Sequence, residues 1–316
     1  MTIIPFFMEE NMTENFNDKS AFIAIVGRPN VGKSSILNKM LGQKIAIVSS
    51  KPQTTRTRIM GVLTEAETQL VFIDTPGIHK PRTELGKYMV KSVNESVSGV
   101  DACLLVTEAC KDITDTELKL IEKFKAMDVP AILAINKIDT VKEKSDLMLQ
   151  IARYSEKFDF DAIVPVSAQT GNGIDQLKEE LKKWAQEGGH LFDEDTLTDQ
   201  PERVLAGEMV REKMLRLLDK EIPHGTAVVV ERMKTRDDKN IIDIDATIYC
   251  ERDSHKGIII GKQGAMLKKI GTYARQDMEA FFDCKINLTL WVKVKEDWRN
   301  RQGLLRSFGF DKNDFE

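Results

Sequence analysis

Residues 27–34 of the chain read Gly27-Arg28-Pro29-Asn30-Val31-Gly32-Lys33-Ser34. The stretch follows a short apolar run, residues 21–26, and precedes residues 35–41, whose apolar spacing suits a helix. A glycine-bounded loop between a strand and a helix is typical of a phosphate-binding loop, because backbone N–H groups and the helix N-terminus converge on one anion. We therefore predict that Lys33 contacts the β- and γ-phosphates of a nucleotide and that Ser34 is a Mg²⁺ ligand. An ordinary strand-to-helix turn is the less specific interpretation.

The bulk composition fits a globular chain of about two domains. It has 316 residues, 41% of them hydrophobic, and a formal net charge of −4. Its four cysteines have no C-x-x-C spacing, which indicates reduced thiols of a cytosolic protein and excludes a zinc or disulfide framework. No apolar run approaches the roughly 18 residues of a membrane span. We expect residues 1–19 to be a flexible extension, since their apolar start lacks the basic region of a signal peptide.

Apolar, strand-like runs alternate with amphipathic segments between residues 20 and 187. We predict strands at residues 21–26, 69–73, 102–107, 131–135 and 162–166. Alternation of this kind predicts an α/β domain with a mostly parallel sheet and helices on both faces. Ligands of such sheets bind at the carboxyl ends of the strands, where the other motifs of this region lie.

Asp74-Thr75-Pro76-Gly77 follows the second of these strands. A carboxylate at a strand end can hold Mg²⁺, and Gly77 would let its backbone N–H approach a γ-phosphate closely. A simple type I or II turn is the alternative. A second Mg²⁺ ligand would have to come from a polar loop, and Thr55, within residues 51–56, is the candidate.

Asn136-Lys137-Ile138-Asp139 follows the fourth predicted strand. The carboxylate of Asp139 can accept both donors on one edge of guanine, whereas adenine would leave it unpaired at a cost of several kcal/mol. This motif therefore favours GTP over ATP. Ser167-Ala168 follows the fifth strand, and we expect the Ala168 backbone N–H to meet the guanine carbonyl.

The pattern changes after a glycine-rich, acidic stretch, residues 188–202, which we interpret as a linker rather than a long loop within one domain. Residues 202–218 have helical apolar spacing, and we expect that face to be core rather than a contact with membrane or RNA. Strands are predicted at residues 226–231, 241–249 and 287–294, with a hairpin at 234–240 and a helix at 265–282. We expect a final helix, with Trp298, to pack back onto this second domain.

The second domain carries Lys256-Gly257-Ile258-Ile259-Ile260-Gly261-Lys262-Gln263-Gly264 before its predicted helix. In this setting Gly-x-x-Gly resembles the loop of KH domains, which clamps about four unpaired nucleotides. Residues 252–275 hold six basic side chains and one acidic one, which suits RNA, although a solvated charged helix is the alternative. The predicted RNA-binding residues are Lys256, Gly257, Gly261, Lys262, Gln263, Gly264, Lys268, Lys269 and Arg275.

The nucleotide motifs and the KH-like segment together resemble the Era family of bacterial GTPases, in the TrmE-Era-EngA-like class, from about residue 19 to residue 310. Ile78 stands where Ras-like enzymes have a water-orienting glutamine, as in that class. The resemblance implies a P-loop GTPase domain at 20–187, the linker, and an α+β type II KH domain at 203–316. It also implies K⁺-stimulated hydrolysis, with Asn30 as a candidate K⁺ ligand.

The implied site residues fall into three groups. The nucleotide-binding residues are Gly27, Arg28, Pro29, Asn30, Val31, Gly32, Lys33, Ser34, Asp74, Thr75, Pro76, Gly77, Asn136, Lys137, Asp139, Ser167 and Ala168. The Mg²⁺ ligands are Ser34, Thr55 and Asp74. The catalytic residues are Lys33, Thr55 and Gly77.

The function implied by the resemblance is that of a GTP-hydrolysing factor that binds 16S rRNA near its 3′ end and assists 30S subunit assembly. It implies a cytoplasmic monomer with peripheral contact to the inner face of the cell membrane, in which GTP sets the domain arrangement. Without a glutamine or arginine finger we expect turnover well below one per second. One alternative is a membrane-associated signalling GTPase whose second domain binds protein or lipid. Another is a GTPase of tRNA modification, which would need another architecture and a C-terminal cysteine.

Overall fold

The computed structural model describes residues 18–51, 53–77, 83–96, 99–219, 221–236 and 240–310. The expectations for residues 1–17 and for Ile78 lie outside the described residues. The first strand begins at Lys19, within the predicted extension. No helix among the described residues is long and apolar enough to cross a membrane.

The first structural unit is built around one sheet with the strand order β2-β3-β1-β4-β5-β6. Strand β2 is antiparallel to β3, the short β7 is antiparallel to β1, and the other pairs are parallel. The elements of this unit are β1 (Lys19–Val26), α1 (Lys33–Leu41), β2 (Ile59–Glu65), β3 (Thr68–Asp74), α2 (Glu84–Ser96), β4 (Ala102–Glu108), α3 (Asp115–Met127), β5 (Ala131–Asn136), α4 (Lys144–Ser155), β6 (Ala162–Pro165), α5 (Ile174–Lys182) and β7 (Gln186–Glu187). The predicted α/β architecture with a mostly parallel sheet is confirmed.

Strand β2 was not predicted from the sequence. It lies at the edge of the sheet and joins β3 through a turn at Ala66 and Glu67, in which Ala66 has a φ of 52°. Left-handed positions in such turns are usually taken by glycine or asparagine. Because alanine is not a typical turn residue, the sequence pattern did not indicate this turn.

Both faces of this sheet are covered by helices, and β1 shows why its sequence is almost continuously apolar. Ile23 and Ile25 lie in the core shared with α1 and α5, whereas Ala24 and Val26 lie in the core shared with α3. The helices fix the sheet, so the loops at the carboxyl ends of β1, β3 and β5 have a rigid base.

Residues 188–200, which are most of the linker predicted at 188–202, lie along β2 and β3, and α6 begins at Glu202. The buried Gln69 side chain accepts hydrogen bonds from the backbone N–H groups of Leu191 and Phe192, at 2.7 and 2.9 Å. Val62 N–H donates to the Leu197 carbonyl at 2.9 Å. This part of the chain is therefore attached to the first unit until it reaches the next helix.

The second unit has the order αββααβ of a type II KH domain, as predicted, followed by a short helix. Its sheet order is β10-β9-β8, with β8 antiparallel and β10 parallel to β9. The elements are α6 (Glu202–Leu217), β8 (Thr226–Thr235), β9 (Ile241–Cys250), α7 (Asp253–Ile260), α8 (Ala265–Phe282), β10 (Lys285–Val294) and α9 (Gln302–Ser307). Because β8 runs through Thr235, the predicted hairpin loop at 234–240 is too long. The apolar face of α6 is core, as expected, since Val210 and Met214 pack with Ile244 and Ile248.

The C-terminal segment does not only fold back onto the second unit, as expected from the sequence. Trp298 and Leu305 share one apolar cluster with Leu85 and Met89 of α2 and with Ala227 of β8. The segment therefore lies between the two units. Its apolar residues have no periodicity that would distinguish these two surfaces, so the sequence could not reveal the second contact.

Candidate functional site

A cleft of about 450 Å³ opens at the carboxyl ends of β1, β3 and β5. It brings together the predicted residues Pro29, Asn30, Gly32, Lys33, Ser34, Thr55, Gly77, Asn136, Lys137, Asp139 and Ala168. The other predicted nucleotide residues do not line it and are Gly27, Arg28, Val31, Asp74, Thr75, Pro76 and Ser167. Four separate motifs thus converge on one cleft, as the fold class predicts.

The loop between β1 and α1 can be formed only with glycine at its two ends. Gly27 has a φ of 146°, and a Cβ there would lie 2.3 Å from the carbonyl oxygen of Val106. Gly32 has a φ of 102°, and a Cβ there would lie 2.2 Å from Nδ2 of Asn136. Helix α1 begins at the next residue, so its N-terminal N–H groups and partial positive charge face the cleft.

Lys33 is a buried cation whose partners are carbonyl groups of the loop itself. Its Nζ donates to the carbonyl oxygens of Gly27 at 3.1 Å and Arg28 at 3.0 Å. Burial lowers the pKa of Lys33 from 10.5 to about 8, and the nearby Asp74 opposes that shift. A phosphate in the cleft would favour the charged lysine, because an opposite charge offsets the loss of hydration.

Three side chains with oxygen atoms that can bind a metal meet beside the loop. Ser34 Oγ donates to Asp74 Oδ2 at 2.6 Å, and Thr55 Oγ1 lies 3.0 Å from Ser34 Oγ and 3.4 Å from Asp74 Oδ2. The second carboxylate oxygen, Asp74 Oδ1, is buried with no hydrogen-bond partner among the described residues. Burial raises the pKa of Asp74, while Lys33 and the two hydroxyl groups oppose the shift. A buried carboxylate with hydroxyl neighbours and an unsatisfied oxygen fits Mg²⁺, which prefers oxygen ligands.

The turn after β3 lies directly against the phosphate-binding loop. A Cβ at Gly77 would lie 2.7 Å from Pro29 Cα, so only glycine allows this approach. The Thr75 hydroxyl donates to the Ile25 carbonyl at 2.9 Å and fixes the end of β3 to β1. Thr75 therefore holds the turn in place without lining the cleft, whereas Gly77 lines it.

The opposite end of the cleft is organised by Asn136. Its Nδ2 donates to the Val31 carbonyl at 2.8 Å, and its Oδ1 accepts from the Ala168 N–H at 3.0 Å. Asp139 Oδ1 accepts from Ser167 Oγ at 2.5 Å. The Ala168 N–H, expected to be free for a guanine carbonyl, is thus already bonded, and base recognition through it would require this bond to be shared or exchanged.

Two loop side chains have partners that the sequence did not indicate. Arg28 turns away from the cleft and forms a salt bridge of 2.9 Å with the fully buried Glu117 of α3. Asn30 Nδ2 donates to the Ser50 carbonyl at 2.7 Å. Arg28 therefore supports the loop from outside the cleft, whereas Asn30 joins the loop to the segment that leads to Thr55.

Residues 47–50 and 53–55 of that segment line the cleft, and helix α6 of the second unit contacts them. Arg211 donates to the carbonyl oxygens of Gln53 and Thr54, and Arg216 donates to the Val48 carbonyl. These contacts join residues more than 150 positions apart in sequence, and no local pattern signals them.

The predicted RNA-binding residues lie on α7, α8 and the turn between them. Gly261 has a φ of 73°, and a Cβ there would lie 2.7 Å from Met266 Cβ. Gly264, with a φ of 79°, precedes the first residue of α8, and Gln263 has a φ of 50°. The chain therefore turns tightly between the two helices with no side chain at Gly261 or Gly264, so a phosphate can approach the backbone closely.

The surface around this turn combines positive charge with exposed apolar groups. None of the basic side chains at 252, 256, 262, 268, 269 and 275 forms a salt bridge within the part of the chain that the structure describes. Ile258 is 51% exposed, and Lys269 Nζ lies 5.9 Å from the ring centre of the exposed Tyr273. Unpaired cations beside aromatic and apolar groups suit single-stranded RNA.

Comparison with known proteins finds one family model in each of the two units. A family model described as 50S ribosome-binding GTPase matches residues 22–137, and a KH domain model matches residues 221–299. The GTPase Era of Clostridioides difficile is 51% identical over 293 residues, covering 93% of this chain and 99% of that protein. The GTPase Era of Ruminiclostridium cellulolyticum is 52% identical over 295 residues, covering 93% and 98%.

Two solved structures match the whole described arrangement. A crystal structure of Era in complex with MgGDPNP and nucleotides 1506–1542 of 16S ribosomal RNA has a TM-score of 0.88 at 39% identity, covering 93% of this chain and 99% of that one. An Aquifex aeolicus Era variant bound to GDP and AlF4⁻ has a TM-score of 0.88 at 40% identity, covering 92% and 99%.

Proposed function

The chain belongs to the Era family of GTPases, and we propose that it binds and hydrolyses GTP with Mg²⁺ and binds the 3′ end of 16S rRNA during 30S subunit assembly. We assign residues 20–187 to the GTPase domain, 188–202 to the linker and 203–316 to the KH domain. The observation that carries the proposal is the position of Ser34 and Thr55 in the wall of a cleft that also holds Asp139, with the buried Asp74 in contact with both hydroxyl groups.

Nucleotide binding would use the two ends of this cleft differently. The N-terminus of α1 and the Lys33 ammonium group would hold the phosphates, and Asp139 would accept the two donors of guanine. Ser34, Thr55 and Asp74 would hold Mg²⁺, which would neutralise the charge that develops on the phosphates during hydrolysis. The bond from Ser167 keeps the Asp139 carboxylate oriented for the base.

Hydrolysis would depend on backbone groups and on Lys33. The Gly77 N–H lies in the turn that contacts the phosphate-binding loop, so it can stabilise charge on the transferred phosphoryl group. Residue 78 is isoleucine, which cannot orient water through a side-chain amide. We therefore expect slow intrinsic turnover, well below one per second.

Potassium would act next to the phosphates through Asn30. Its amide nitrogen donates to the Ser50 carbonyl oxygen at 2.7 Å, so the loop and the segment that leads to Thr55 are in contact at Asn30. Replacing Na⁺ by K⁺ should raise the hydrolysis rate of the unmodified protein. In Asn30→Ala the two salts should give equal rates, and an unchanged K⁺ effect would remove Asn30 from this role.

RNA binding would use the turn between α7 and α8, with phosphates at the glycine backbone and Lys262 and bases against Ile258. The signalling alternative has less support, because the apolar side chains of α6 that it would need at a membrane, such as Leu205 and Met209, are buried. We expect a monomer in the cytoplasm, with the peripheral membrane contact implied by the family. Sedimentation and liposome flotation would test both expectations.

The decisive experiment measures binding to an oligonucleotide of the 16S rRNA 3′ end across a salt series, with a non-hydrolysable GTP analogue and with GDP. We expect tighter binding with the analogue. Lys262→Gln combined with Lys268→Gln should lower affinity and reduce the salt slope by about 1.4, since each phosphate contact on a single strand contributes about 0.7. Lys157→Gln, an exposed lysine of the GTPase domain, is the control and should change neither.

The outcomes separate the parts of the proposal. Equal binding in both nucleotide states would keep the RNA partner and contradict control by GTP. No binding in either state would contradict the RNA function and favour the signalling alternative. If the double variant leaves the slope of log affinity against log salt concentration unchanged, the RNA does not bind at the turn between α7 and α8.

A further inference from the structure

The KH domain holds the chain immediately before and immediately after Thr55. Before it, the carbonyl groups of Gln53 and Thr54 accept hydrogen bonds from Arg211 of α6. After it, the Arg56 side chain enters the second unit and donates to two backbone carbonyls there. The described residues between α1 and β2, at 42–51 and 53–58, have no regular secondary structure, so hydrogen bonds such as these hold the backbone on both sides of Thr55.

Arg56 is a buried cation inserted between the two domains. Its Nη1 donates to the Thr226 carbonyl at 2.6 Å, and its Nη2 donates to the His224 carbonyl at 2.8 Å. Its guanidinium carbon lies 5.9 Å from the centre of the Trp298 ring. Two diverging bonds and a ring contact fix the orientation of a planar guanidinium, which a lysine could not reproduce.

Arg211 is equally enclosed and has a partner of its own. Its side chain is 2% exposed, and Nε donates to Glu208 Oε1 at 2.7 Å while Nη2 also bonds Glu208 Oε2 at 2.5 Å. A carboxylate on the same helix therefore holds the guanidinium in the position from which it reaches both carbonyls. The bonds to Gln53 and Thr54 are directed by this pair rather than made by a free surface arginine.

We propose that Arg56 and Arg211 are positioning residues for GTP hydrolysis, which hold Thr55 beside Ser34 and Asp74 so that the KH domain completes the metal site of the GTPase domain. The inference rests on the proposed role of Thr55 as a Mg²⁺ ligand. It goes beyond that role because it assigns part of the metal site's order to residues that touch neither nucleotide nor metal.

The coupling is reciprocal by thermodynamic necessity. If the KH domain favours the metal-binding position of Thr55, then Mg²⁺ and the γ-phosphate at Thr55 favour the contact of Arg56 with Thr226 and His224.

Helix α6 also contacts the segment at Val48, through Arg216, but that contact lies seven positions before Thr55. Arg216 therefore offers a matched comparison, an arginine at the same interface that does not flank the ligand.

The test compares full-length Arg56→Gln, Arg211→Gln and Arg216→Gln with the unmodified protein. One measurement is the gain in affinity for a fluorescent non-hydrolysable GTP analogue when Mg²⁺ replaces EDTA, with GDP affinity measured alongside. The other is the Mg²⁺ concentration that gives half the maximal single-turnover hydrolysis rate. Arg56→Lys and Arg211→Lys accompany the glutamine variants, in case loss of the buried charge prevents folding.

We expect Arg56→Gln and Arg211→Gln to lose about tenfold of the Mg²⁺-linked gain and to need about tenfold more Mg²⁺, within the usual range of coupling between sites. Their GDP affinity should change less than about twofold, because GDP lacks the γ-phosphate whose contacts with Mg²⁺ order segments of this kind in GTPases. The lysine variants should recover part of the loss. Arg216→Gln should behave like the unmodified protein in both measurements.

Three outcomes would overturn the proposal. The first is an unchanged Mg²⁺ dependence in both Arg56→Gln and Arg211→Gln. The second is an equal effect in Arg216→Gln, which would mean that any loosening of the interface suffices. The third is a parallel loss of GDP affinity, which would indicate general disruption. An unmodified protein without Mg²⁺-dependent hydrolysis would instead refute the proposed function itself.

Discussion

Glu212 Oε2 lies 2.5 Å from the Nζ of Lys44, and this contact joins helix α6 of the KH domain to the GTPase domain. The Glu212 side chain is fully buried and also accepts from Lys213 at 2.9 Å, from Arg216 at 2.9 Å and from the Val48 N–H at 3.0 Å. One carboxylate thus satisfies three cations and one backbone donor. Several of the charged groups at the domain interface therefore contact Glu212.

Replacing Glu212 by glutamine should destabilise the protein strongly. The substitution keeps the shape but leaves Asp277 as the remaining carboxylate partner of Lys44 and of the buried Lys213, and breaking a buried ion pair costs up to about 3–5 kcal/mol. Urea unfolding at pH 7 would measure the loss. Glu180→Gln is the control, because Glu180 pairs with the exposed Lys183 and should contribute less than about 1 kcal/mol.

The same carboxylate gives this stabilisation a pH dependence. Burial acts to raise the pKa of Glu212, but the hydrogen bonds from Lys44, Val48 and Lys213 outweigh it and lower the pKa below 4.5. Its contribution is therefore complete above pH 4.5 and is lost as the pH falls through the lowered value. The unmodified protein should lose more stability on acidification than Glu212→Gln. Equal losses, or equal stabilities of Glu212→Gln and Glu180→Gln, would contradict the interpretation.

Trp298 should be the most costly aromatic residue to remove. It is fully buried between the domains, its Nε1 donates to the Gly225 carbonyl at 3.0 Å, and its ring centre lies 5.5 Å from that of Phe308. Trp298→Ala should lower the free energy of unfolding by about 3–5 kcal/mol, whereas Trp298→Phe should lose about 1 kcal/mol from the hydrogen bond and some packing. Trp291→Ala, at a residue 58% exposed, is the control and should stay within about 0.5 kcal/mol. A smaller loss for Trp298 than for Trp291 would contradict the burial argument.

The sequence was sufficient where the signal is local. The phosphate-binding loop needs glycine at 27 and 32 because a Cβ at either position would collide with neighbouring groups, and that requirement is visible in the residue types. The alternation of strands and helices, and the order αββααβ, likewise follow from patterns within single elements. Such features are predictable because each depends on residues that are close together in the chain.

The sequence was insufficient where the physics is non-local. Nothing around Arg56 indicates that its guanidinium meets carbonyls at 224 and 226, because that contact depends on how two complete domains pack. Arg28 was assigned to the nucleotide, whereas Glu117, 89 positions away, binds it outside the cleft. In both cases a charged side chain has a distant partner that no spacing rule could supply.

Nucleotide affinity should weaken as the pH rises above about 8. Burial lowers the pKa of Lys33 to about 8 in the free protein, and bound phosphates would raise it. Binding is therefore strongest below that value and weakens until the pKa of the complex is reached. Between pH 7 and pH 9 the affinity for GDP should fall about tenfold, which isothermal titration calorimetry can measure.

Lys33→Arg provides the control for this pH dependence, because arginine stays charged over the whole range. Its affinity should be lower than that of the unmodified protein but constant between pH 7 and pH 9. A constant affinity in the unmodified protein would show that Lys33 retains an ordinary pKa. If the GDP affinity of the arginine variant fell equally between pH 7 and pH 9, the pH dependence would come from titration of the nucleotide and not from Lys33.

Asp139→Asn should exchange the base preference of the site. The asparagine keeps an Oδ1 that can accept the bond from Ser167, so the loop should retain its geometry. Its amide group, however, offers a donor where guanine offers donors too. Loss of two hydrogen bonds to a charged group should weaken GTP binding at least about a hundredfold.

Xanthosine triphosphate has a carbonyl where guanine has its amino group, and that oxygen can accept from the new amide. Its affinity for Asp139→Asn should therefore rise above that of GTP, measured by competition with a fluorescent nucleotide. Asp175→Asn, at a highly exposed side chain on α5, should leave both affinities unchanged. If Asp139→Asn weakened both nucleotides equally, Asp139 would be holding the loop rather than reading the base, because only direct contact with the base edge distinguishes the two purines.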